Sequence, residues 1–298
     1  MIEVRGELAS GGRWIVCVAP DAAERARLTS EHGVPAELVV HSLDLRERPR
    51  VDHEAGATLV VLRAPHRVVP EAELPWTTLP IGVVLCARDV VTICSEPSDV
   101  VPRAAGATDA LVAPHLLLLA HLRGTADAYL DAVAQLEQAI DAEEARLDRS
   151  QGNREVLALV RLMKSLVHFT SALKSIEHVV ERLTRAGSLG IPEDHHGALE
   201  DTLIEIRQAI DTVDLERETL AATMDAFASI ISNNLNVVMK LLAALTLIVT
   251  PPLILASLWG MNVPVPWTGE PWAFVALLAI ALLGSLLTGI GLWRRHWL

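Results

Sequence analysis

Two uncharged apolar runs near the end of the chain, residues 241–259 and 272–293, constrain the fold more than any other feature. The first, LLAALTLIVTPPLILASLW, has 19 residues. At about 1.5 Å per helical residue it spans about 29 Å, close to the hydrocarbon thickness of a bilayer. Each run is longer than the roughly 10 to 14 residues of a buried core helix, so the sequence predicts two transmembrane helices. The link NVPVPWTGEP holds no Lys or Arg, whereas Lys240 precedes the first run and Arg294, Arg295 and His296 follow the second. The positive-inside tendency then predicts an outer loop with N- and C-termini in the cytoplasm, as for a multi-pass protein of the plasma (inner) membrane. Trp259, Trp267, Trp272, Trp293 and Trp297 stand at or beyond the run ends, where amphipathic rings settle at the interface.

The remainder is soluble in character. The chain of 298 residues has a formal net charge of −12 and yet a mean hydropathy of +0.35. Beyond Lys240 the only charged residues are Glu270, Arg294 and Arg295, so the acidity belongs to the front part. Nucleic-acid binding needs a basic footprint, and none is present; an acidic surface attracts cations instead. Cys17, Cys86 and Cys94 are odd in number and form no CxxC pair, which predicts buried core thiols in a reducing compartment. The opening MIEVRGELAS lacks the basic-then-apolar order of a signal peptide, which predicts a cytoplasmic front domain.

Composition divides that front part. Residues 1–112 read as a cytoplasmic α/β domain, with WIVCVA, ELVVHSL, TLVVLRAP, IGVVLCA and VVTICS as strands and DAAERARLTSEHG as a helix stopped at Gly33. The strand order is not readable. Residues 113–197 are rich in Ala, Leu, Glu and Arg and read as long amphipathic helices broken at SQGN and at AGSLGIPEDHHG. Residues 198–259 read as a stalk helix running into the first transmembrane helix, because no Gly or Pro lies between Ala198 and Thr250. Leu199, Leu203, Ile206, Ile210, Val213, Arg217, Leu220, Met224, Phe227, Ile231, Asn234 and Val238 form a heptad stripe along it. A rod of about 60 residues and roughly 90 Å cannot stand alone in water. Either the two preceding helices cover the stripe or identical subunits bundle about an axis, and the second reading is preferred. Residues 260–271 are then the outer loop, 272–293 the second transmembrane helix and 294–298 a basic cytoplasmic tail.

One line of the first transmembrane helix is less apolar than the rest: Ser232, Asn236, Met239, Ala243, Thr246, Thr250, Leu253 and Ser257, spaced by threes and fours. Polar groups are costly in lipid, so a continuous line of them is expected to face a bundle interior or water, as a pore lining does. A single Thr in such a helix often only bonds its own backbone. Pro251 and Pro252 remove backbone donors and are expected to kink the helix. Gly284, Gly289 and Gly291 of the second run read as helix packing. An enzyme is not expected: HExxH, GxSxG, CxxC and a Gly-rich phosphate loop are all missing, and the eleven His are scattered, with His195-His196 in a surface loop.

Gly260-Met261-Asn262 directly after the first apolar run, the preceding SNNLNVVMKLL and the chain end WRRHWL together resemble the CorA family of divalent-cation transporters, within the CorA/ZntB superfamily. The resemblance is specific over residues 225–298 and architectural over the rest. It implies an α/β cytoplasmic domain, a long α-helical stalk and two C-terminal transmembrane helices in a funnel-shaped homopentamer embedded in the lipid bilayer. It also implies transport of Mg²⁺, with Co²⁺, Ni²⁺ or Zn²⁺ as further substrates. Carried over by position, Asn262 looks like the selectivity residue in a turn shaped by Gly260 and Met261. Asn236, Met239, Leu242, Thr246 and Thr250 look like pore positions, with Met239 and Leu242 as the hydrophobic gate. Asp225 resembles the stalk carboxylate that shares a regulatory Mg²⁺ between subunits. The chain departs from the family pattern in having Trp259 before the glycine and Glu270 as the only acid of its outer loop, which weakens electrostatic capture at the mouth.

Magnesium dehydrates reluctantly, so an outer site that holds the ion through its waters with neutral amide oxygens suits it. Carboxylates there would bind more tightly and slow release. A Zn²⁺ transporter of the ZntB group is the nearest alternative, although no His or Cys lies on the polar line. A membrane-anchored metal sensor without transport is the more remote one, and it would not need the polar line to continue through the bilayer.

Overall fold

The computed structural model describes residues 1–68, 74–106, 111–150, 153–186, 195–263, 267 and 269–297, and it divides into two compact units, Met1–Ala222 and Thr223–Leu298. Within the first unit the strands are β1 (Ile2–Leu8), β2 (Arg13–Val18), β3 (Arg50–Glu54), β4 (Ala57–Arg67), β5 (Trp76–Leu85), β6 (Val90–Cys94) and β7 (Leu111–Val112). They form one sheet in the order β3-β4-β5-β6-β2-β1-β7. The pairs β2·β6 and β1·β7 are parallel and the others antiparallel.

Helices α1 (Ala22–His32) and α2 (Ala36–Leu43) lie on one face. Leu28, Val34, Leu38 and Val39 pack there on Ile15, Cys17, Leu59, Val61, Val84, Val91 and Ile93. The expected first helix forms for local reasons. Asp21 and Glu24 close a capping box, and Gly33 ends the helix in the left-handed region at φ 68°. The expected strand ELVVHSL is instead α2. Its buried residues, Leu38, Val39 and Ser42, follow helical spacing while Val40 between them is exposed. The helix presses onto β5 at Gly82, where a Cβ would meet Ser42 Oγ at 2.1 Å. Three strands escaped the sequence reading: β1 and β3 have sparse burial, with one buried residue each, Leu8 and Val51, and β7 is only two residues long.

The opposite face is covered by α4 (Pro114–Ser150) and α5 (Asn153–Ala186), with α3 (Val100–Gly106) packed beside α4. Tyr129 of α4 is fully buried, donates to Arg63 O at 3.0 Å and meets the Phe169 ring of α5 edge-on at 5.1 Å. His121 of α4 joins a closed network: Trp14 Nε1 donates to Thr92 Oγ1, which lies 3.0 Å from His121 Nε2, and His121 Nδ1 lies 2.8 Å from Leu117 O. Cys17 and Cys94 are buried and free, as expected, and burial pushes their thiols up to about 11 and about 12.

Helix α6 (His196–Trp259) is continuous, and α7 (Ala273–Arg294) follows it. In the first unit α6 lies along α5. Arg207 pairs with Glu177 at 2.7 Å and Glu181 at 2.9 Å, and Asp214 accepts from Lys174 at 3.1 Å and from Thr170. Leu199, Ile206, Ile210, Val213 and Leu220 are buried there. The first half of the heptad stripe is therefore covered within the chain, by the reading that was not preferred. From Ile231 onward the stripe is exposed.

Candidate functional site

The second unit contains the end of α6 and all of α7. The α7 side of α6 is made by Ala244, which is fully buried, and by the partly buried Ile248, Pro251, Pro252, Leu255 and Trp259. Their spacing follows the 3.6-residue period. At about 100° per residue, Leu242, Thr246, Leu253 and Ser257 each stand two residues from a member of that line, about 200° round the helix. All four are exposed, as are Asn236, Met239 and Ala243. Helix α7 thus leaves uncovered the line that the sequence reading singled out, with Thr250 at its margin, half-buried.

Thr246 Oγ1 donates to Leu242 O at 2.9 Å and Thr250 Oγ1 to Thr246 O at 2.7 Å. These bonds to the helix's own carbonyls occupy the hydroxyl hydrogens. What the two side chains still offer outward is oxygen lone pairs.

At the end of α6 the Gly260 amide donates to Ala256 O at 3.0 Å, and a Cβ at Gly260 would approach that oxygen to 3.1 Å. Met261 and Asn262 follow and are both exposed. Pro264, Val265, Pro266 and Thr268 of the expected outer loop lie outside the described residues. Beyond them Glu270 is exposed, its amide donating to Trp267 O, and the Trp267 and Trp272 rings lie 5.7 Å apart.

Asp225 is exposed on α6, and among the described residues of one chain no three His, Cys, Asp or Glu side chains gather closely enough to hold a metal ion. Acidic crowding does occur in the first unit. Burial, and then repulsion from Glu137, Asp141 and Glu144 of α4, raises the pKa of Glu216 on α6. Burial raises Glu205 in the same way, Asp127 and Asp201 adding to the shift and Arg123 opposing it.

Between α6 and α7, small residues set the distance. Ala281 and Ala273 of α7 are buried. A Cβ on Gly284 would stand 3.2 Å from Pro251 Cβ, and one on Gly289 would stand 3.8 Å from Ile248 Cδ1. Gly291 faces open space, so of the three glycines read as packing only the first two touch α6. The sequence reading did not single out Ser285, which donates to Ile248 O at 2.7 Å. A signal was present: Pro252 lacks the N–H that Ile248, four residues earlier, would otherwise receive.

An α/β soluble unit together with two long apolar helices whose most hydrophobic windows are only 6% and 11% buried defines a membrane protein with a helix pair near its C-terminus. Residues 9–294 match the family described as CorA-like Mg2+ transporter protein, and the chain belongs to that family. It is 25% identical over 285 residues to the cobalt/magnesium transport protein CorA of Methanocaldococcus jannaschii, covering 91% of this chain and 87% of that protein. To the protein of the same name from Thermotoga maritima it is 24% identical over 184 residues, 61% of this chain and 52% of that one. The fold matches the complete structure of the M. jannaschii CorA magnesium transporter with a TM-score of 0.85 at 23% identity, over 96% of this chain and 91% of that one. It also matches the full-length CmaX protein, with a TM-score of 0.70 at 19% identity over 95% and 88% of the two chains.

Proposed function

We propose that the protein carries divalent cations, Mg²⁺ foremost and Co²⁺ or Ni²⁺ as well, across the plasma (inner) membrane through an axial pore lined by α6 of a symmetric homopentamer. One observation carries this reading: α7 covers the opposite side of α6 and leaves exposed a line through Asn236, Met239, Leu242 and Thr246, and Asn262 beyond the helix end is exposed as well. A line of hydroxyls and amides facing lipid would be unfavourable, and a symmetric bundle of α6 helices removes it from lipid. The acceptor oxygens of Thr246 and Thr250 fit a hydrated cation, whose waters point their hydrogens outward. Asn262 adds a ring of neutral amides where α6 ends, with Gly260 and Met261 shaping its turn. Met239 and Leu242 form the hydrophobic constriction. Lys240 and the tail Arg294-Arg295 mark the cytoplasmic side, with both termini there.

Gating follows from the acidity of the chain before Lys240. Carboxylates of neighbouring subunits, Asp225 among them, repel unless a divalent ion lies between them. High internal Mg²⁺ then holds the closed state and depletion releases it. The M. jannaschii and T. maritima relatives are cobalt/magnesium transport proteins by name, which supports the choice of ions.

The test is ion flux into proteoliposomes with Mg²⁺, Co²⁺, Ni²⁺ and Zn²⁺. Wild type is expected to pass Mg²⁺ and Asn262→Ala to lose it. Asp225→Ala is expected to keep flux and lose its inhibition by internal Mg²⁺. Flux of Zn²⁺ alone would place the protein with the zinc transporters, and no flux at low internal Mg²⁺ would make it a sensor.

A further inference from the structure

The prolines of α6 create a backbone vacancy at a definite atom. Pro252 has no N–H, so the carbonyl of Ile248 has no intrahelical donor, and an unpaired carbonyl in hydrocarbon is unfavourable. The hydroxyl of Ser285, on α7, donates to that carbonyl at 2.7 Å. Other hydroxyls of these two helices behave differently: Thr246, Thr250 and Thr288 each bond a carbonyl four residues back in their own helix. Ser285 has Ala281 at the corresponding position and reaches across to α6 instead.

The residue before it makes the reach possible. At Gly284 a Cβ would come within 3.2 Å of Pro251 Cβ, closer than side chains ordinarily pack, so a larger residue would push α7 away from the proline pair. Two consecutive residues of α7 therefore meet the proline turn of α6, Gly284 by its close fit to Pro251 and Ser285 by a hydrogen bond to the Ile248 carbonyl.

We propose that Ser285 is a positioning residue for the pore-lining helix: its hydroxyl replaces the N–H missing at Pro252 and locks α7 to the turn of α6 that carries Thr250 and leads to Leu253 and Ser257. The functional part rests on the reading of α6 as pore lining. Without the hydroxyl, the freed carbonyl takes another partner and the helix bends at the prolines, the usual site of sharp kinks. The outer half of the polar line, and Asn262 beyond the helix end, then shift relative to the inner half.

A double-mutant cycle on the full-length protein tests this, read by Mg²⁺ flux in proteoliposomes and by thermal unfolding in detergent. Ser285→Ala is expected to lower both flux and the unfolding midpoint. The equilibrium effect should be roughly 3-fold to 18-fold, the range for interhelical hydrogen bonds in membranes. Ser285→Thr, which keeps the hydroxyl, is expected to retain wild-type behaviour. Pro252→Ala restores the missing N–H, so adding Ser285→Ala to it should change nothing further. Pro251→Ala restores a donor to Leu247 instead, so Ser285→Ala should keep its full effect in that background. The proposal is overturned if Ser285→Ala has the same effect with Pro252 or Ala at position 252, or if it changes neither readout. The unfolding cycle stands apart from transport: if the wild type passes no ion the pore reading fails, while the midpoints still decide whether Ser285 serves Pro252.

Discussion

Helices α5 and α7 are both long and apolar enough to cross a membrane, yet they occupy opposite environments. The most apolar window of α5 is 44% buried within the protein, and that of α7 only 11%. The difference lies in periodicity. In α5, Leu159, Leu162, Leu166, Phe169, Leu173, Ile176 and Val180 are buried on one face, while Lys164, His168, Lys174 and His178 on the other are exposed. In α7 the apolar residues surround the helix, and Phe274, Val275, Leu282, Leu286 and Leu287 are exposed. Hydropathy alone would make both helices membrane spans. An apolar stripe asks for one partner, whereas an apolar circumference asks for a solvent, and for α7 that solvent is lipid.

Truncating a side chain on each helix is the direct way to break this contrast. Phe169→Ala removes a fully buried ring that meets both Tyr129 and Trp76, and a loss of about 3–5 kcal/mol is expected from the cavity it leaves. Hydrogen exchange of the sheet amides in the full-length protein would report it. A loss below about 1 kcal/mol would mean that α5 is not the core element described here.

The second expectation uses pH on the same side of the comparison. Burial lowers the His121 pKa to about 4 from an ordinary 6.5, the bond to the Leu117 carbonyl opposing the shift only partly. Because the folded state binds this proton more weakly than the unfolded chain, the contribution is complete above pH 6.5 and is lost as pH falls toward 4. At about 1.4 kcal/mol per pH unit, the loss amounts to about 3 kcal/mol. Comparing denaturation of wild type and His121→Gln across this range isolates the imidazole; equal slopes would remove it as the cause.

The smallest effect is expected on α7. Leu287 is exposed on a helix whose surroundings are as apolar as itself, so Leu287→Ala in detergent or lipid should change stability by about 0.5 kcal/mol or less. A loss like that of Phe169→Ala would show that Leu287 is buried in the assembly, and would sharpen the map of subunit contacts.

The stalk stripe repeats the lesson inside one helix. Its positions from Leu199 to Val238 follow a single heptad pattern, but Leu220 is buried by the chain itself and Ile231 is not. The period of a stripe states that a partner exists and leaves open which one. The candidate site was legible to a similar degree. Thr246 and Thr250 stood out because polar residues in an apolar run are costly, and Asn262 through the resemblance carried by Gly260-Met261-Asn262; the line is the one α7 leaves uncovered, with Thr250 at its margin. Ser285 did not stand out, since a serine in a membrane helix ordinarily bonds its own backbone and its partner at Ile248 lies 37 residues away.

Local chemistry was enough to place the capped helix α1 and the two long apolar helices. Each depends on residues within a few positions of one another, where propensity, capping and hydropathy act directly. The helical state of α2, the sheet order β3-β4-β5-β6-β2-β1-β7 and the meeting of Gly284 with Pro251 and of Ser285 with the Ile248 carbonyl depended on the folded chain. A short apolar run such as ELVVHSL suits a strand or a helix equally, and packing on the sheet, with Leu38 and Val39 buried and Ser42 against Gly82, goes with the helix. Contacts between distant residues are chosen by packing and by backbone groups in need of partners, and that information is not carried by any single window of sequence.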